Sequence, residues 1–153
     1  MQHTISRTNY AFSGVQMHCL LTGRETHGNF CLFENWSSGN SGTPVHIHNR
    51  EDETVFVLEG EMQAILNGET KIVRQGEAVF MPRGVPHQLK NTSGSPSRYS
   101  ILCTPSGFED FVAEAGYVMG EGETPAPALL SEIRSMKEAA PHFGIKLLPD
   151  LSP

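Results

Sequence analysis

Two histidines one residue apart, His46 and His48, stand seven and five residues ahead of Glu53, and a third histidine, His87, lies further along the chain. On a strand, alternate side chains face one side, so His46 and His48 project together and Ile47 points away. Asn49 to Asp52 reads as a charged turn. Glu53 then begins a strand with Val55 and Val57 on its own face, and brings one carboxylate toward the imidazoles. In "GEAVFMPRGVPHQLKN" a strand over Ala78 to Met81 is turned by Pro82 and Gly84, and His87 returns on the next strand. Three neutral imidazoles and a carboxylate suit one divalent transition ion: Mn, Fe, Co, Ni, Cu or Zn. Such a set leaves one or two positions of a five- or six-coordinate site open, with a net charge of about +1. Open positions admit water, substrate or dioxygen.

The elements that must hold these groups are short. From Val15 to Thr104 the chain runs in apolar or alternating stretches broken by Gly, Pro, Asn and Ser, the pattern of an all-β barrel or sandwich. Asn67-Gly68 in "MQAILNGETKIV" predicts a type I′ hairpin turn, since both central residues need positive φ. Val15, Met17, Cys19 and Leu21 share one predicted face with His18 on the other, and Phe30 to Trp36 is a second flanking strand. After Cys103 the period changes. Phe108, Phe111, Val112 and Ala115 lie at helical spacing behind a Ser106/Glu109 capping box and ahead of a Gly116 stop. Beyond "GEGETPAPA", the residues Leu129, Leu130, Ile133, Met136 and Ala140 form a second helical stripe ended by Pro141. The tail "GIKLLPDLSP" either adds a brief strand or lies on the surface.

Two segments resemble the paired signature motifs of the cupins. The first, G(X)5HXH(X)3-4E(X)6G, is met by His46, His48, Glu53 and Gly60, with Asn40 where its leading glycine belongs and Gly39 and Gly42 on either side. The second, G(X)5PXG(X)2H(X)3N, is met at every fixed position by Gly76, Pro82, Gly84, His87 and Asn91. A spacer of 15 residues, Glu61 to Gln75, separates them, as in small bacterial cupins. The resemblance implies a cupin double-stranded β-helix (jelly-roll) barrel with one or two C-terminal helices. It further implies a metal held by His46, His48, Glu53 and His87, and a homodimer. One domain is expected over 1–153, with its core at about 30–104 and a helical appendage at about 105–153. "SGFEDFVAEAG" is similar to a helix of the quercetin-dioxygenase-like subfamily.

A metal-dependent dioxygenase acting on a small organic molecule is therefore the leading functional expectation, with Glu53 as ligand or as catalytic base. An isomerase or lyase would use the same groups, and a non-catalytic small-molecule-binding module is the rival of a different class. His3, His18, His27 and His142 have no companion at ligand spacing and read as solvated or locally bonded. Arg50 is a minor candidate as a substrate anchor. Phe108, Phe111 and Val112 are candidates for the cavity wall, and so are Trp36, Phe56, Gln63, Met81, Arg98 and Tyr99.

The bulk properties narrow the class. Eleven Lys and Arg against 17 Asp and Glu give a net charge of −6 with no basic block, which argues against a nucleic-acid partner. No apolar run approaches the ~20 residues that span a bilayer, and "MQHTISRTNYAF" lacks an export signal. Cys19, Cys31 and Cys103 sit within apolar stretches and read as small hydrophobes, so a reduced, cytoplasmic protein is expected.

Overall fold

A computed structural model describes residues 8–149. His3 and the last residues of the tail lie outside that range. In chain order the strands are β1 (Asn9–Phe12), β2 (Val15–Leu21), β3 (Cys31–Ser37), β4 (Ser41–Gly42), β5 (His46–His48), β6 (Asp52–Glu59), β7 (Glu61–Leu66), β8 (Glu69–Arg74), β9 (Ala78–Met81), β10 (His87–Asn91) and β11 (Ser97–Thr104). They are followed by α1 (Phe108–Ala115), β12 (Tyr117–Val118), α2 (Leu130–Ala139), a 3₁₀ turn (Ala140–Phe143) and β13 (Ile145–Leu147). None of these helices is long and apolar enough to cross a membrane.

The strands form two antiparallel sheets. One runs β12-β1-β2-β3-β11-β6-β9 and the other β13-β5-β10-β7-β8, with β4 also on β10. Neighbours such as β3 and β11, or β5 and β10, are distant in sequence. That is how a jelly roll buries one face of each sheet against the other. The alternation in β3, β6 and β11 is strict: Phe33, Val55, Val57 and Ile101 point inward and are buried. Fully burying one such side chain contributes about 1.5–3 kcal/mol.

The expected hairpin is present. Asn67 and Gly68 have φ of 47° and 83°, and Leu66 pairs with Glu69 across the turn. Gly60, at the β6–β7 turn, has φ of 78°, and a Cβ there would lie 2.9 Å from the Pro96 carbonyl oxygen. Asn91, the last fixed position of the second motif, is buried, and its Nδ2 donates to Ser95 O at 2.8 Å and Ser97 Oγ at 3.1 Å. It thus ties the β10–β11 turn to the barrel. The loop where Asn40 replaces glycine is held by β4 pairing on β10 and by Gln88 Nε2 donating to Thr43 O at 2.8 Å.

Three sequence expectations are corrected and two stops are borne out. The face of β2 does not extend to Leu21, which is only partly buried, because the register with β3 shifts between Cys19 and Leu21. Gly107, not Ser106, is the N-cap of α1, and Glu109 supplies half of the expected box by accepting the Gly107 N–H at 2.7 Å. Gly116 ends α1 as expected, in extended backbone (φ −88°, ψ −179°). In α2 the stripe is displaced: Leu129 and Leu130 are 65% and 82% exposed, while Met136, Ala139 and Ala140 are buried. Helix α2 ends ahead of Pro141, as expected, and the chain continues into the 3₁₀ turn Ala140–Phe143, which carries Pro141 in its first turn.

Candidate metal centre

His46 and His48 come from β5 and His87 from the adjacent β10, where His46 and His87 pair directly across the ladder. Glu53 reaches them from β6, in the opposite sheet. The barrel interior is therefore where the four meet. One ligand-type atom from each of His46, His48, Glu53 and His87 lies within 4.8 Å of all the others. The ring centroids are 4.3 Å apart for His46 and His87, 5.0 Å for His46 and His48, and 5.3 Å for His48 and His87.

The second nitrogen of each ring is already engaged. Nδ1 of His46 donates to the Pro44 carbonyl at 2.8 Å, and Nδ1 of His87 donates to the Val85 carbonyl at 3.1 Å. Nδ1 of His48 donates to Glu51 Oε1 at 2.6 Å. A carbonyl or carboxylate oxygen only accepts, so these bonds place the proton on Nδ1 and leave the Nε2 lone pair of each neutral ring facing inward. Glu53 Oε2 is 3.2 Å from Nε2 of His87 and 3.2 Å from Nε2 of His48. The second contact lacks hydrogen-bond alignment, so Nε2 of His48 is buried with no partner in the protein. An orphaned ring nitrogen beside a carboxylate and two further imidazoles fits a transition ion well, since it offers nitrogen and oxygen donors whose tautomers are preset.

Removal from water pushes His46 down to about 3, and the neighbouring His87 and His48 rings add to the shift. Burial acts against charge on His48 too, but the bond to Glu51 and the nearby Glu53 carboxylate outweigh it and raise its pKa to about 9. Burial likewise opposes ionisation of Glu53, yet the facing His48 and His87 hold it well below the usual carboxylate range. The Glu53 carboxylate therefore faces a His48 imidazolium, and the Nε2 lone pair of that ring becomes available to a metal as its proton leaves.

Glu51 was read from sequence as part of a solvated turn, and the structure corrects this. It is 3% exposed and turned inward onto His48, while Arg50 and Asp52 flank it outside. Arg50 does not enter the cavity; its Nη1 donates to the His142 carbonyl at 3.1 Å. Asp52 pairs with Arg83 at the surface. No residue type or spacing distinguished Glu51 from its charged neighbours. The signal lies in the three-residue return between β5 and β6, which forces one side chain back under His48.

A cavity of about 50 Å³ opens beside His46, His48 and Glu53. Phe108 and Phe111 of α1 line it, as does Tyr99 of β11, while the other wall candidates Val112, Trp36, Phe56, Gln63, Met81 and Arg98 do not. Trp36 and Phe56 instead point outward, 41% and 39% exposed. Asn35, which alternation along β3 could have flagged as a polar residue on an inward face, was missed and also lines the cavity. His18, His27 and His142 are not part of the cluster.

Comparison with known proteins agrees with this architecture. Residues 33–104 match the family described as Cupin domain. The HTH-type transcriptional regulator PuuR of Escherichia coli (strain K12) is 30% identical over 95 residues, covering 62% of this chain and 51% of that protein. Quercetin 2,3-dioxygenase of Bacillus subtilis (strain 168) is 23% identical over 158 residues, covering 92% of this chain and 47% of that protein. The chain thus spans about half the length of these curated relatives. A solved structure described as a predicted oxalate decarboxylase from Thermotoga maritima superposes with a TM-score of 0.61 at 21% identity, covering 65% of this chain and 94% of that one. That likeness shows the fold.

Proposed function

From a barrel core that is a cupin domain, we propose that the protein is a metal-dependent enzyme acting on a small organic molecule, with dioxygenation as its reaction. His46, His48, Glu53 and His87 would hold one divalent transition ion. The single observation that carries this reading is the buried, unpartnered Nε2 of His48, set among donors whose other nitrogens are already bonded. When bound, the ion supplies Lewis acidity to oxygen atoms of a substrate and open positions for a second reactant.

The chain's own residues do the remainder. Phe108 and Phe111 provide an apolar wall beside the polar cluster, which excludes water and orients a substrate body against it. Glu53 is the only carboxylate among the cavity-lining residues. Its Oε2 stands where it can accept the proton of a substrate hydroxyl. The bonds from Nδ1 hold the three rings fixed while this happens. The small cavity favours a compact oxygenated molecule, such as a catechol or a diketone, over a flavonol. A reduced, cytoplasmic setting is in keeping with three free, buried cysteines. A single domain assembled as a homodimer completes the proposal.

A second reading, a non-catalytic ligand-binding module, draws support from the similarity to a transcriptional regulator. Oxygen uptake by Fe-, Mn- and Ni-loaded protein with a panel of flavonols, catechols and diketones separates the two. The enzyme reading expects turnover with at least one pair, and loss of turnover in Glu53→Gln with metal retained. Tight binding without turnover under every metal would establish the module instead.

A further inference from the structure

Asn35 adds a second polar feature to the cavity, one that the proposed reaction does not use. It sits on the inward face of β3 between Phe33 and Ser37, is 1% exposed, and its Oδ1 has no hydrogen-bond partner. Buried amide oxygens are nearly always paired, because leaving water without a replacement bond is costly. An orphan on a cavity wall therefore asks for a donor from whatever fills the cavity.

Its position defines the far end of the site. Asn35 pairs across the ladders with Tyr99 of β11 and Met17 of β2, and Tyr99 pairs in turn with Val57 of β6. Glu53 lies four residues along β6 from Val57, about 13 Å of backbone at about 3.3 Å per residue, and the inward side chains of Asn35, Tyr99 and Glu53 reach into the same cavity between. Between the two rows β11 presents Ile101, and Val15, Leu89, Phe108, Phe111 and Met136 supply further apolar lining of the same cavity. No Lys or Arg lines the cavity, and its one carboxylate is at the metal end. The Asn35 end is thus neutral: the Tyr99 hydroxyl lies beside the Asn35 amide, and Oδ1 of that amide remains as the unpartnered acceptor, suited to an uncharged donor and not to an ammonium group.

We propose that Asn35 determines which ligand the cavity accepts: a compact molecule with metal-binding oxygen at one end, an apolar body, and an uncharged hydroxyl or N–H at the other that donates to Asn35 Oδ1. This rests on the metal-site reading above. The open volume of about 50 Å³ is about a third of the ~150 Å³ that takes up benzene in an engineered cavity. A body larger than a few atoms therefore enters only by displacing Phe108, Phe111 or Met136. Compact ligands are preferred for that reason.

The test uses two pairs of metal chelators in which a methyl group replaces the remote donor. N-hydroxyurea is compared with acetohydroxamate, and the longer hydroxyquinol with 4-methylcatechol. Binding to cobalt-loaded protein is measured anaerobically by calorimetry, after cobalt uptake has been measured alone. In at least one pair the donor-bearing member is expected to bind about 10-fold more tightly, the scale of one neutral hydrogen bond to a group otherwise left unpaired. Asn35→Leu should keep its cobalt affinity and lose that preference; Asn35→Ala serves if the leucine variant does not fold. Equal affinities within both pairs, no binding by either pair, or a preference that survives substitution of Asn35 would overturn the proposal and leave the metal site standing. Failure of the wild type to take up cobalt would remove the functional reading itself, and this proposal with it.

Discussion

At the scale of single residues, each ring of the cluster is committed in advance by the atom it bonds on its far side. Two of those partners are backbone carbonyls, which mutation cannot remove. The third is Glu51, at 2.6 Å from His48 Nδ1 and buried with it. A carboxylate behind a ligating imidazole orients it and raises its basicity. Glu51→Gln keeps an oxygen able to accept the bond but removes the charge. It is expected to weaken zinc or cobalt binding about 10–100-fold in a competition titration against a chelator. An unchanged affinity would show that Glu51 serves packing alone. The motif residues themselves were legible because each has a fixed spacing. Glu51 was not, since the chain there offers four consecutive charged residues, Arg50 to Glu53, and only the fold selects that Glu51 turns inward along with the motif residue Glu53.

At the scale of elements, turn chemistry was the most readable part of the chain. Asn67-Gly68 announces its hairpin locally, because both residues tolerate the positive φ that the turn demands. Gly60 and Gly68 share that conformation but not their surroundings: a Cβ at Gly60 meets the Pro96 carbonyl, and at Gly68 nothing lies within 4 Å. Gly60→Ala should therefore cost about 1–3 kcal/mol in urea unfolding, and clearly more than Gly68→Ala. Equal costs would mean that backbone conformation alone decides at both sites. The helices were less readable. The apolar stripe of α2 included Leu129 and Leu130 by periodicity, yet the helix starts at Leu130 and docks through Met136 and Ala139. Helical spacing finds a face, but docking against α1 and the barrel decides how far along that face burial extends.

At the scale of the whole molecule, the cluster joins the two sheets, so an ion held there would bridge them and bind only the folded chain. Metal at about 100 times its Kd should add about 2.7 kcal/mol of stability. For a chain of this size that raises the melting temperature by roughly 5–10 °C, reversed by a chelator. Calorimetric scans that show no shift with Mn, Fe, Co, Ni, Cu or Zn would refute a resident metal. By itself the sequence determined the all-β class, the strands over Ala78 to Met81 and around Asn67-Gly68, and the four ligand-type residues. Those depend on alternation, turn propensity and spacing, which are local. Only the tertiary structure decided that Glu53 crosses from the opposite sheet, that Glu51 turns beneath His48, and that Asn35 looks into the cavity with its carbonyl unpaired. Those facts depend on ladders such as β3 with β11 and β6 with β11, between segments tens of residues apart, and no local pattern encodes which inward faces will meet.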